Sequence, residues 1–176
     1  MSDEDDEVLL VTLVQRGDVT AFECLLRRLH APLRRYVAKM VGDSTADDVL
    51  QEVALRIFRE IGNLREPKAF RAWVFRIATR VSFVYLKREK RWRESEENFD
   101  SIRSQCPNQD ELNPEFMGLV DRVSPASRAV LLLHYQQHLS LEETAAILDI
   151  PFGTAKSRLS YGISTLRNLL KEKTQQ

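Results

Sequence analysis

Residues Ser140–Leu166, SLEETAAILDIPFGTAKSRLSYGISTL, constrain the fold more tightly than any other stretch. Ser140 and Glu143 have the spacing of a capping box, in which each side chain satisfies the other's amide at the start of a helix. Leu141, Ala145 and Leu148 follow at helical spacing. Pro151 suits the first position of a second helix, where its missing N–H costs nothing. That helix is predicted to bury Ala155, Leu159, Ile163 (or Gly162) and Leu166, and to turn Lys156, Ser157, Arg158 and Tyr161 outward. Two helices joined by so few residues make a helix-turn-helix, whose second helix is shaped to enter a DNA major groove. Such a hairpin can also be purely structural. The set Thr154, Lys156, Ser157 and Arg158 favours DNA, because it groups phosphate and base-edge donors with no acid among them.

The remaining periodicity is helical, and no stretch alternates as a strand does, so the chain is expected to be all-α. Residues 8–41 read as two helices separated at Gly17-Asp18, with Pro32 set to kink or split the second. Gly42-Asp43-Ser44 reads as a loop. A third helix is expected from about Thr45 to Ile61, with Val49 (or Leu50), Val53, Ile57 (or Phe58) and Ile61 as its apolar stripe. After a loop from Gly62 to Pro67, a fourth runs from about Lys68 to Arg93. Its apolar positions are Phe70, Trp73, Val74, Ile77, Val81, Val84 (or Tyr85) and Trp92. Helices resume at Glu115–Val123, and Ser124-Pro125 starts another that runs to about His138.

Net charge is zero, from 26 basic and 26 acidic residues, but the charges are segregated. From Arg65 to Arg93 there are ten basic residues and two acidic ones; from Glu94 to Glu115 there are seven acids and one base. The basic stretch also carries Phe70, Trp73, Phe75, Phe83, Tyr85 and Trp92. Cations track a phosphate backbone and rings stack on unpaired bases, so this stretch suits opened DNA. Phe70 and Trp73 also fit a helix core. The Ser-, Asn- and acid-rich segment 95–114 reads as a flexible linker. Two small helical domains are therefore expected: 1–94, then 115–176 with the helix-turn-helix. Two DNA-binding surfaces on a tether imply a bipartite target.

Several classes find no support. No apolar run approaches the ~20 residues of a membrane span, and the acidic start MSDEDDE is not a signal peptide, so a cytoplasmic location is expected. Cys24 and Cys106 have no metal-site spacing; a buried thiol and a loop thiol are expected. His134 and His138 lie four apart on a predicted helix but lack accompanying acid or Cys ligands, so no metal is assigned. No nucleophile triad, phosphate loop or paired carboxylate constellation stands out, so no enzyme and no cofactor are implied.

The ordered blocks RGDVTAFECLLRRL (16–29), ADDVLQEVALRIFREI (46–61), FRAWVFRIATR (70–80), VSPASRAVLLLHY (123–135) and LSLEETAAILDIPFGTAKSRL (139–159) resemble the extracytoplasmic-function (ECF) group of bacterial sigma factors. These are promoter-specificity subunits of RNA polymerase. The resemblance implies that Asp47, Asp48, Gln51, Glu52 and Leu55 dock on the clamp helices of the polymerase's largest subunit. It implies that the loop 62–70 and the next helix read and melt the minus-ten element, capturing an extruded base. Arg65, Lys68, Arg71, Trp73, Arg76, Arg80, Lys87, Arg88 and Arg91 are the candidates there. Thr154, Lys156, Ser157, Arg158 and Tyr161 fall on the positions that read the minus-thirty-five element. An anti-sigma protein is implied as a partner, and the catalytic metal belongs to the polymerase. Three positions depart from the family pattern: Arg80 and Val84 stand where an Asn and an Asp are usual, and Tyr161 where a basic residue is frequent. They predict an unusual promoter sequence. A stand-alone helix-turn-helix regulator is the alternative, which would favour a dimer on a symmetric site.

Overall fold

The computed structural model of the chain describes residues 3–94 and 118–174, and the side chains of 5–89 and 118–172. Among these residues are seven α-helices and no strand: α1 Asp3–Gln15, α2 Val19–Val41, α3 Asp43–Glu60, α4 Phe70–Glu94, α5 Pro125–Leu131, α6 Leu141–Leu148 and α7 Phe152–Thr174. They form two compact units divided between Ser82 and Phe83, and α4 runs unbroken through that division. The linker expected at 95–114, Cys106, and residues 115–117 of the next predicted helix lie outside the described residues.

In the N-terminal unit, Asp18 caps α2 by accepting from the Ala21 amide at 3.0 Å. Pro32 does not split that helix, which continues for 23 residues. Leu29, Leu33, Tyr36 and Val37 are buried around it, and this packing offsets the hydrogen bond that proline removes. The expected three-residue loop shrinks to Gly42 alone. Its φ of 94° turns the chain in one step, a conformation that favours glycine. The stripe of α3 resolves to Ala46, Val49, Val53 and Ile57, while Leu50 is half-buried and Phe58 is 57% exposed. Tyr36 and Phe75 meet edge to face at 5.4 Å. The Tyr36 hydroxyl lies 2.6 Å from Thr79 Oγ1, which itself donates to the Phe75 carbonyl at 2.7 Å. Burial pushes the Tyr36 hydroxyl well above the ordinary tyrosine range, so it stays a donor. Phe75 is thus core rather than a base-stacking surface.

Cys24 is half-buried rather than buried, beside a hollow lined by Asp6, Leu9, Leu10, Arg27 and Arg28.

Of the helix expected over 115–123, Gly118 is helical and Val120–Arg122 form a 3-10 turn. Arg128 donates to the carbonyls of Asp121 and Val123 and pins this turn to α5. Burial lowers the Arg128 pKa, and the charge of Asp121 opposes that shift. Ser124 occupies the N-cap position of α5 without a side-chain cap bond, and Pro125 takes the first turn. Beyond Leu131 the helix widens into a π segment, Leu132–Gln136. It ends there rather than at His138, which adopts φ 55°. His134 and His138 therefore do not share a helix face. The His134 ring instead contacts the Leu139 carbonyl through Nδ1 at 2.7 Å.

The helix-turn-helix follows. The Ser140–Glu143 capping box is formed, at 3.1 Å and 2.7 Å. The buried set of α6 is Thr144, Ala145 and Ile147; Leu141 and Leu148 are half-buried at its flanks. The turn is a Schellman motif: Ile150 N–H bonds the Ala145 carbonyl at 3.1 Å, and Asp149 holds the left-handed position at φ 55°. Pro151 sits one residue before α7, and its carbonyl accepts from Thr154 and Ala155. Ala155, Leu159, Ile163 and Leu166 are buried. Gly162 is buried too: a Cβ there would lie 2.7 Å from Leu131 Cδ1, so α5 and α7 meet at this point.

Candidate functional site

Three surfaces carry the residues singled out above, and each is set by the helix that presents it.

On α7, helical register places Thr154, Ser157, Arg158 and Tyr161 along one face. Ser157 is exposed, and Thr154, Arg158 and Tyr161 are half-buried. Lys156 is exposed too, but register puts it roughly 150° round the helix from the middle of that face, so the five residues do not share one stripe. The Ser157 hydroxyl donates to the Gly153 carbonyl at 2.9 Å. The hydroxyl oxygen of this exposed residue can still accept from a base amino group. A Cβ on Gly153 would meet nothing within 4 Å, so the backbone at the tip of α7 is open to close approach.

On α3, Asp48, Gln51 and Leu55 lie on the side away from the core, with Leu55 44% exposed. Asp47 is exposed but engaged by Arg34 at 3.2 Å, and Arg34 also reaches Asp43 at 3.6 Å. Glu52 pairs with Arg56 one turn away at 2.8 Å. These exposed pairs contribute little stability and leave the carboxylates available to another partner. Phe58, weighed in the sequence as an alternative core residue, belongs to this outer face. It leans edge-on against Phe22 at 5.2 Å.

The third surface is the segment from Ile61 into α4. The expected loop contains two 3-10 turns, Ile61–Asn63 and Pro67–Ala69. Arg65 and Lys68 are exposed on it. The side-chain amide of Gln15, at the end of α1, donates to two of its carbonyls: Leu64 at 2.7 Å and Ile61 at 3.0 Å. This clamp fixes the loop from a helix nearly fifty residues earlier, and no motif in the sequence signals it. On α4, register puts Trp73, Arg76 and Arg80 on one face, with Arg80 exposed and the other two half-buried. Trp73 also leans on the buried Phe70 ring at 6.1 Å, so it is part core and part surface. Arg71 lies off that face and meets Glu7 of α1 at 3.8 Å. It therefore has a balancing acid that its local sequence lacks. Beyond Ser82, Lys87 and Arg88 are exposed, and Val84 is 52% exposed. The side chain of Arg91 lies outside those described.

With this geometry in place, comparison with known proteins is specific. Residues 25–92 match Sigma-70 region 2, and residues 119–168 match Sigma-70 region 4. The ECF RNA polymerase sigma-E factor of Escherichia coli K12 is 30% identical over 174 residues, covering 90% of this chain and 91% of the relative. The solved structure of CnrH in complex with the cytosolic domain of CnrY is similar at a TM-score of 0.70 and 20% identity, covering 95% of this chain and 98% of that one. The sigma factor RpoE of Bartonella quintana, in complex with the anti-sigma factor NepR, matches at 0.68 and 21%, covering 85% and 96%. At these identities the two structures speak to the fold. Among the described residues no helix is long and apolar enough to cross a membrane.

Proposed function

Since this chain belongs to the extracytoplasmic-function group of RNA polymerase sigma factors, we propose how its parts divide the work of promoter recognition. The region 2-like domain, 1–94, docks on the polymerase clamp helices through Asp47, Asp48, Gln51, Glu52 and Leu55, with Phe58 extending the apolar part of that face. Its loop 62–70 and α4 read and open the minus-ten element. Arg65, Lys68, Arg71, Arg76, Arg80, Lys87, Arg88 and Arg91 hold phosphates, and Trp73 offers a ring edge to an unpaired base. The segment 95–114 tethers the region 4-like domain, 115–176. There Thr154, Lys156, Ser157, Arg158 and Tyr161 read the minus-thirty-five element as duplex. The chain performs no covalent step; the polymerase supplies the catalytic centre, and its partner places the protein in the cytoplasm. The solved relatives captured with anti-sigma or cytosolic partner domains support an anti-sigma protein as a third partner here.

One observation carries this division. The formed helix-turn-helix presents Lys156 and Ser157 to solvent, while the exposed acidic and apolar face of α3 stands on a different helix, suited to a protein rather than to DNA. The test is transcription in vitro with the full chain and bacterial core polymerase on sheared genomic template, with transcript starts sequenced. Defined starts sharing a two-part upstream motif are the expected result. DNA binding by the chain alone, with no starts, would leave a stand-alone regulator instead.

A further inference from the structure

Among the described residues from 118 onward, one large apolar side chain is left in water: Phe152, 46% exposed. Leu131, Leu132, Leu133, Ile147 and Leu166 of the same unit are all fully buried. Phe152 is the first residue of α7, so no earlier turn of its own helix covers it. Its neighbours Pro151 and Gly153 are also exposed. Lys156 lies four residues on and shares its edge of the helix. No carboxylate occurs from Ile150 to Leu159. A phenyl ring therefore leads a helix whose first turns carry hydroxyls and cations and no acid.

A helix of this kind enters the major groove by its N-terminal residues. The groove walls present donors and acceptors at every base pair and one apolar group, the C5-methyl of thymine. Phosphates and water cannot cover a phenyl ring favourably. We propose that Phe152 is a specificity-determining residue that reads a thymine of the minus-thirty-five element by covering its methyl group. This rests on the assignment of α7 as the duplex reader.

The test uses the full chain with core polymerase. Promoters are selected from a pool randomised across the minus-thirty-five element. The selected promoter is then remade with each thymine in turn replaced by deoxyuridine, which lacks the methyl and keeps its pairing edge. At one thymine, the replacement should weaken wild-type binding about fourfold, the contribution of one buried methyl group. Phe152→Ala should bind the thymine promoter at that weakened level and be blind to deoxyuridine there, while Phe152→Leu keeps the sensitivity. A flat deoxyuridine scan in the wild type overturns the proposal, as does an unchanged methyl dependence in Phe152→Ala. Loss of polymerase affinity by Phe152→Ala without DNA would place the ring on protein and overturn it too. A pool that yields no preferred minus-thirty-five sequence would remove the duplex-reader assignment along with it. A selected sequence with a flat scan removes the Phe152 inference alone.

Discussion

The helix proposed to read duplex DNA and the loop proposed to read the minus-ten element differ in how far along the chain their shapes are decided. Around α7, the hydrogen bonds that set the surface span three to five residues: the Ser140–Glu143 box, the Ile150–Ala145 turn bond and the Ser157–Gly153 bond. Around the loop at 62–70, the comparable bonds cross more than forty residues: Gln15 to Ile61 and Leu64, and Tyr36 to Thr79. A locally built surface folds with its own helices. A loop held from a distance keeps its shape only while another helix is docked against it. Substitutions at the anchors should therefore act differently in the two regions.

The largest expected effect tests how self-contained the C-terminal unit is. Gly162→Val drives a branched side chain into the contact with Leu131, where even a Cβ would sit 2.7 Å from Cδ1. Overpacking of this kind should cost about 2–3 kcal/mol. Thermal unfolding should show a lowered transition for this unit and lost minus-thirty-five binding, with polymerase docking through α3 retained. Loss of docking as well would mean that the two units are not independent. Next comes Gln15→Leu, which removes two hydrogen bonds to the loop and should cost about 1–2 kcal/mol. Transcription from promoters varied at each minus-ten position should show blunted discrimination there and unchanged minus-thirty-five preference. Gln15→Glu fills the same space but turns an acceptor toward two carbonyls, so it should be no better than leucine. Full minus-ten discrimination in both variants would show that the loop holds its own shape.

The same difference decides which features are legible in the sequence alone. The capping box, the buried stripe of α7 and its outward donors were legible because each is a rule about residues three or four apart. The choice between Val49 and Leu50, or Ile57 and Phe58, was not. Adjacent positions lie 100° apart on a helix, and the tilt against α2 decides which is covered. Gln15 was illegible because its partners are backbone carbonyls, which leave no mark on residue identity. The Glu7–Arg71 pair is illegible for a related reason: a run of charge along the chain does not show an acid that sits on another helix. Gly162 and Ile163 were alternatives in the pattern, and both are buried because α5 comes closest there. The early end of α5 at a π segment had no signal in periodicity, since the same leucines suit either winding.

Ser140→Ala is a smaller probe of the local region. It removes the hydroxyl that accepts from the Glu143 amide and should cost about 1 kcal/mol. The loss should appear in the stability of the C-terminal unit, with base preference at the minus-thirty-five element unchanged, because the cap lies on α6 rather than on the reading helix. Altered base preference would show that α6 also sets the angle of α7.

The smallest effect separates the two surfaces by the kind of contact each makes. Lys87 is exposed on α4 and Lys156 on α7, and the two carry the same charge. A lysine on phosphate displaces one condensed counterion, so Lys87→Ala should reduce the slope of log affinity against log salt by about one. At physiological salt that amounts to about fivefold weaker binding, equal for all promoters. A lysine on a base edge should behave differently. Lys156→Ala should weaken the preferred minus-thirty-five sequence more than its variants and relax the preference at one position, with a smaller change of slope. Titrating both variants against matched and mismatched promoters over a salt series reads slope and preference together. If Lys87→Ala left the slope unchanged, α4 would not be on the backbone at that point. If Lys156→Ala lowered all promoters equally, the tip of α7 would be positioning the helix rather than reading it, and the base-specific role would pass to Ser157 and its neighbours on the opposite edge.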